Sequence, residues 1–312
     1  MADILCGVDI SSDTLDARIG RTGPWRQFPN STDGIADLAA FCREHGVTLA
    51  VMEASGGYER LPFAGLWAAR IPVALVDPRA VRRFAQAMGR LEKTDRIDSA
   101  MIVWYGEAKH LHPTPLASAT QQHLTALVVR LRQLTDLRTQ QTNQRRLIAD
   151  PTVLATFSAV LTTVATQIRT LEHQIVGLIA ADPLWTALDA ACREIKGVAD
   201  RTVARLLAAL PEIGTLNAKA ASKLTGLAPL AHDSGKRHGK RGVRGGRESV
   251  RTVLYVVARL VCRYDSEFAA FRDRLKAAGK PAKVIRVALA HKLLVRLNAK
   301  ARDARKVLAP AV

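Results

Sequence analysis

Apolar positions in the first ~110 residues fall into short runs broken by turn residues, and their period switches repeatedly between two and three-to-four. Residues 4–10, 15–20 and 25–28 read as the strands of a meander, with turns at Ser11-Ser12-Asp13 and Arg21-Thr22-Gly23-Pro24. The capping run Asn30-Ser31-Thr32-Asp33 then opens a helix whose buried stripe is Ile35, Leu38, Ala39 and Cys42, ending near His45. A strand over 47–52 closing at Glu53, a helix over about 61–70 and a buried strand at 73–76 follow, with further helices from about Ala80 and Asp95. Strand and helix alternating in this way predict an α/β domain over residues 1–112.

Beyond it the period settles. Leu124, Leu127, Leu131 and Leu134 step by 3, 4 and 3, and after Asp150-Pro151 the series Val164, Ile168, Leu171, Ile175 and Leu178 steps by 4, 3, 4 and 3. This is coiled-coil spacing, so residues 113–184 are expected to be an α-helical coiled-coil middle. A seam so narrow needs a facing helix, either its hairpin partner within the same domain or, as favoured, a helix of a second copy, which makes the protein a homo-oligomer, dimer or tetramer. Residues 185–312 read as a mainly α C-terminal domain.

Acids interrupt the apolar pattern at four places. Asp9 sits in the apolar strand Leu5-Cys6-Gly7-Val8-Asp9-Ile10, and Glu53 ends another just before Ala54-Ser55-Gly56-Gly57. Asp95 and Asp98 are three apart at a helix start, on one face of its first turn. Each alone is more often a cap or turn residue. Together they are like charges that an apolar domain tolerates only around a cation, which points to Mg²⁺, with Mn²⁺ as a substitute. Strand acid, strand-end acid, then a helix-borne pair is the plan of RNase H-like nucleases, in which two metal ions clamp the attacking and leaving oxygens of a phosphodiester.

Charge narrows the substrate. The net charge is +18 over 312 residues, yet residues 1–200 balance 21 Lys and Arg against 21 Asp and Glu, while 201–312 hold 25 against 7. A neutral half bearing carboxylates, joined to a cationic half, suits chemistry on a polyanion gripped by counterion release. A membrane surface fits less well, because no uninterrupted apolar run approaches the ~20 residues of a membrane span. Cys6, Cys42, Cys192 and Cys262 show no paired spacing, which with a strand starting near the N-terminus suggests a reducing, cytoplasmic setting.

Two basic-half motifs carry candidate phosphate contacts. Ile195-Lys196-Gly197-Val198-Ala199-Asp200-Arg201-Thr202 resembles a helix-hairpin-helix, in which turn amides meet a phosphate or simply close a tight turn. Residues 233–247, Asp-Ser-Gly-Lys-Arg-His-Gly-Lys-Arg-Gly-Val-Arg-Gly-Gly-Arg, form a glycine-rich loop with Lys236, Arg237, Lys240, Arg241, Arg244 and Arg247 as phosphate ligands and Ser234 at its entrance. A serine hydroxyl needs help to act as a nucleophile, here from Asp233, His238, arginines or a metal.

Gly7-Val8-Asp9, Glu53-Ala54-Ser55-Gly56-Gly57-Tyr58, Lys93-Thr94-Asp95-Arg96-Ile97-Asp98, Gly226-Leu227-Ala228-Pro229 and Asp233-Ser234-Gly235, in that order, closely resemble the DEDD transposases of insertion-sequence family one-ten, the bridge-RNA-guided recombinases. The resemblance spans nearly the whole chain, departing at Ser99, where alanine is usual, and at residues 241–246. It implies a RuvC-like RNase H fold, a coiled-coil middle and a transposase domain with a helix-hairpin-helix. It implies further that Asp9, Glu53, Asp95 and Asp98 bind metal and that Ser234 forms a covalent phosphoserine link, both centres making one composite site. A structured guide RNA would pair with donor and target DNA, in a bacterial cytoplasm at the nucleoid. Two other readings stay open: a resolvase-like nuclease using water, and a non-catalytic nucleic-acid chaperone using the basic half alone.

Overall fold

The computed structural model describes residues 3–90, 95–231, 233–235, 239 and 241–308, with the side chains of 95–97 outside that set. The chain divides into two compact units, Met1–Ala117 and Ser118–Val312.

The first unit is a five-stranded mixed sheet between two helical layers. Strands β1 (Leu5–Ile10), β2 (Thr14–Ile19) and β3 (Trp25–Pro29) form the antiparallel meander. Helix α1 (Thr32–Glu44), β4 (Leu49–Glu53), α2 (Arg60–Ala68), β5 (Val73–Val76), α3 (Pro78–Ala87) and α4 (Asp95–Lys109) follow. The order across the sheet is β3-β2-β1-β4-β5, with β4 parallel to both β1 and β5. Caps set the helix starts: Ser31 accepts the Gly34 amide at 3.3 Å, and Asp77, followed by Pro78, accepts the Arg79 amide at 2.9 Å.

Successive strand residues face opposite sides, so each face has its own core. Cys6, Val8, Leu15, Ala17 and Met52 pack with Ile35, Leu38 and Cys42 of α1 on one side. Leu5, Leu49, Val51 and Ala74 pack with Val81 of α3 and Ile102 and Val103 of α4 on the other. All four cysteines are buried free thiols.

The second unit is helical among its described residues: α5 (Ala119–Arg145), α6 (Pro151–Ala180), α7 (Pro183–Arg193), α8 (Asp200–Ala209), α9 (Ala218–Leu224), α10 (Glu248–Tyr264), α11 (Ser266–Ala277) and α12 (Ala282–Leu308). Asp150 starts α6 by accepting the Thr152 and Val153 amides at 2.8 and 3.1 Å, bonds that hold its carboxyl below the usual range.

Here the structure decides between the two readings of the seams. Leu124, Leu127, Leu131 and Leu134 of α5 and Val164, Ile168 and Ile175 of α6 are buried inside the chain, in one core with α7, α8, α10 and α12. The facing helix that the seams need is supplied by the same chain. Helix α6 is long and apolar enough to cross a membrane by length and composition alone. Thr156, Ser158, Thr163, Thr166 and Thr170 break its apolar run in sequence while turning their hydroxyls back onto helix carbonyls.

Candidate active site

One row of side chains crosses the sheet of the first unit. Gln27 on β3 opposes Asp16 on β2, and Asp16 opposes Asp9 on β1. One step past the ladder pair Val8 and Met52, Asp9 comes level with Glu53, which opposes Val76 on β5. Level residues on paired strands project to one face, with Cβ atoms about 4.5–5.5 Å apart. Three carboxylates therefore stand side by side.

That face is covered by α4. A Cβ at Gly7 would lie 2.2 Å from the Ser99 carbonyl oxygen and 2.8 Å from Val103 Cγ2, and one at Gly106 would lie 2.9 Å from Leu5 Cδ2. Moving back along the helix from Gly106 to Ser99 thus matches moving forward along β1 from Leu5 to Gly7, so α4 runs antiparallel to β1. The next helix residue back is Asp98 and the next outward β1 position on this face is Asp9. Asp95 opens the helix one turn earlier; its side chain lies outside the described residues.

Asp9, Glu53 and Asp98 are half-buried, whereas Asp16 is only 4% exposed. Asp9 Oδ1 accepts the Ile10 amide at 3.0 Å. Gln27 Nε2 donates to both Asp16 oxygens at 3.1 and 3.2 Å. The sequence reading passes over Asp16, although β2 carries the same signal as β1, a lone acid within an apolar strand.

Carboxylate oxygens are the donors that Mg²⁺ and Mn²⁺ take, so these residues fit such an ion in their chemistry. No group of three or more His, Cys, Asp or Glu among the described residues is already posed as a ligand set.

The second unit holds the serine loop. Leu230 and Gly242 form an antiparallel bridge, the Leu230 amide donating to the Gly242 carbonyl at 2.9 Å, which closes the loop that carries Ser234. Ser234 is exposed. Asp233 Oδ1 accepts the Gly239 amide at 3.0 Å and Oδ2 lies 3.9 Å from Arg241 Nη2, so this acid helps shape the loop. Arg241 and Arg244 are exposed; Lys236, Arg237, His238 and Lys240 lie outside the described residues.

The base of the loop is tightly packed. Gly226 and Gly246 have φ of 67° and 65° and touch backbone to backbone, since a Cβ at Gly246 would fall 2.3 Å from the Gly226 nitrogen. Arg247, expected among the phosphate ligands, is committed elsewhere: it grips Glu212 through two bonds of 2.6 Å and the Ala209 carbonyl at 3.0 Å. Burial alone would raise the Glu212 carboxyl, but the Arg247 hydrogen bonds and charge, with a backbone bond, outweigh it and hold Glu212 below its usual range. Gly197 sits between α7 and α8 at φ 99°, a conformation that side-chain-bearing residues rarely adopt, and its Cβ position is a tight 3.1 Å from the Val261 nitrogen of α10. That close approach accounts for the glycine by packing.

Residues 6–151 match a DEDD-type IS110 family described as "Transposase", and residues 189–273 match the family described as "Transposase IS116/IS110/IS902 family". The chain belongs to the IS110 transposase family. Similar proteins span both units. The "Pilin gene-inverting protein" of Moraxella bovis and that of Moraxella lacunata are each 27% identical over 316 residues, covering 94% of both chains. The "Insertion element IS110 uncharacterized 43.6 kDa protein" of Streptomyces coelicolor is 34% identical over 131 residues, 41% of this chain and 31% of that one. This IS110-family protein is accordingly a DNA transposase/recombinase enzyme.

Proposed function

We propose that this transposase cuts and rejoins DNA by serine transesterification under the guidance of a structured RNA, with Asp9, Glu53, Asp95 and Asp98 of an RNase H-like (RuvC-like) domain as metal ligands and Ser234 as nucleophile. The observation that carries the reading is the level pair Asp9 and Glu53 at the carboxyl ends of β1 and β4, facing the start of α4. Open α/β sheets bind their ligands at that edge. A Mg²⁺ or Mn²⁺ ion held there supplies Lewis-acid polarisation of the scissile phosphate.

The remaining work belongs to the chain. Ser234 Oγ attacks phosphorus, an Oγ–P bond forms, the P–O3′ bond breaks, and the 3′ oxygen leaves as a hydroxyl carrying the proton that serine gave up. One phosphate ester replaces another, so attack by a different 3′-hydroxyl reverses the step and rejoins strands without external energy. Arg241 and Arg244, with Lys236, Arg237 and Lys240, hold the flanking phosphates, and the loop glycines let backbone amides approach them. Sequence choice rests on base pairing by the guide RNA with donor and target DNA. Self-association uses the outer face of α6, where no charged side chain occurs from 151 to 168 and Val153 and Val160 are 41% exposed. The setting is the bacterial cytoplasm.

Strand cleavage with the Asp9→Asn and Asp98→Asn variants tests the metal role. Cleavage should fall below detection while RNA and DNA binding stay within about twofold, since the basic half is untouched. Undiminished wild-type cleavage in excess chelator would exclude it.

A further inference from the structure

We propose that the outer face of α10 holds an unpaired stretch of the DNA strand during recombination. This goes beyond the metal and serine reading and needs only the enzyme's action on DNA. Val256, Leu260 and Tyr264 recur every four residues, so they form one line along α10 about 6 Å apart. They are 59, 40 and 62% exposed, whereas Val253, Leu254, Val257, Ala258 and Val261 of the same helix are buried. Singly exposed apolar side chains are ordinary, but a line of three on one helix marks a contact face.

Charge selects the occupant. Residues 249–264 hold three arginines and no acid, and Arg259 and Arg263 are exposed beside the line without an ion pair among the described residues. Arg286 of α12 lies over the Tyr255 ring at 4.9 Å, which brings a further cation to the neighbour of Val256. The Gly197 Cβ position is 3.2 Å from the Leu260 carbonyl carbon, so the turn that carries exposed Lys196 abuts the same helix. A second copy fits poorly, since pairing this face with itself would set Arg259 and Arg263 against their own copies. Duplex DNA offers phosphates to the arginines but hides its base faces from the apolar line. An unpaired strand offers both, phosphates for the cations and flat bases for Tyr264 and its aliphatic neighbours. Strand exchange leaves a strand unpaired between leaving one partner and joining the next, so the enzyme's own reaction supplies such a segment.

Anisotropy titration of the full chain with labelled oligothymidine, its duplex with oligodeoxyadenosine, and oligouridine tests this apart from catalysis. Tyr264→Ala should weaken oligothymidine binding by about 5- to 100-fold, the range for one lost base stack, with duplex binding within about twofold, and Tyr264→Phe should retain wild-type affinity. Arg259→Gln with Arg263→Gln should flatten the log affinity against log salt slope for oligothymidine by about 1.4, at about 0.7 for each phosphate contact, and this second variant keeps the test decisive if Tyr264→Ala does not fold. Oligothymidine carrying a photoreactive thiothymidine should crosslink to the peptide that contains Tyr264. Unchanged oligothymidine affinity in both variants, an equal loss on duplex, or a larger loss on oligouridine would overturn the inference. A change from oligomer to monomer in Tyr264→Ala, read by light scattering, would overturn it too and make the face a contact between copies.

Discussion

Gly7 fixes how closely α4 approaches the acids, because any side chain there would enter the Ser99 carbonyl oxygen at 2.2 Å. Gly7→Ala should destabilise the protein by about 1–3 kcal/mol through overpacking, read as a lower urea midpoint, and should impair cleavage by displacing Asp98. An unchanged midpoint would mean that α4 yields without cost. Arg247 sets the second residue-scale expectation. The Glu212 carboxyl is held below its ordinary value near 4.5, so its pairing stabilises fully above that value and is lost as pH falls through the lower folded-state value. The melting difference between wild type and Arg247→Met should therefore be largest near neutrality and shrink below pH 4.5; a difference that grows in acid would contradict the pairing. Asp9 within β1 and Glu53 closing β4 stand on the strands that the apolar pattern gives them, level with each other on one face of the sheet. Arg247 misled for a physical reason: its partner lies 35 residues away, and a tertiary contact leaves no local trace.

Helix and strand periods carried the elements well. The strand Val73–Val76 falls where its pattern puts it, and the break before α6 follows from Asp150 capping and Pro151. What a period cannot state is whose helix fills the seam. Leu131 and Ile168 are buried within one chain, so Leu131→Asp with Ile168→Asp should unfold the α5–α6 pair, each fully buried side chain contributing roughly 1.5–3 kcal/mol, and circular dichroism should report the loss. Val153→Glu with Val160→Glu should instead keep the helix content and reduce the oligomer to a monomer by light scattering. Wild-type protein that is already monomeric with RNA and DNA bound would remove the proposed role of the outer face of α6.

At the scale of the molecule, charge and chemistry are separated along the chain. The excess of 25 basic over 7 acidic residues in 201–312 makes nucleic-acid affinity fall steeply with salt. Removing two exposed loop cations, Arg241→Gln with Arg244→Gln, should flatten the log affinity against log salt slope by about 2 if both meet phosphate. The measurement that bears most directly on the proposed reaction is capture of its intermediate. Wild-type protein with its guide RNA, Mg²⁺ and a labelled nicked DNA that traps the first step should yield, on a denaturing gel, label travelling with protein; mass spectrometry should map it to the peptide containing Ser234, and Ser234→Ala should abolish the adduct with binding unchanged. Full cleavage that leaves free 5′-phosphate ends and no adduct would show that water is the nucleophile, and would contradict serine transesterification.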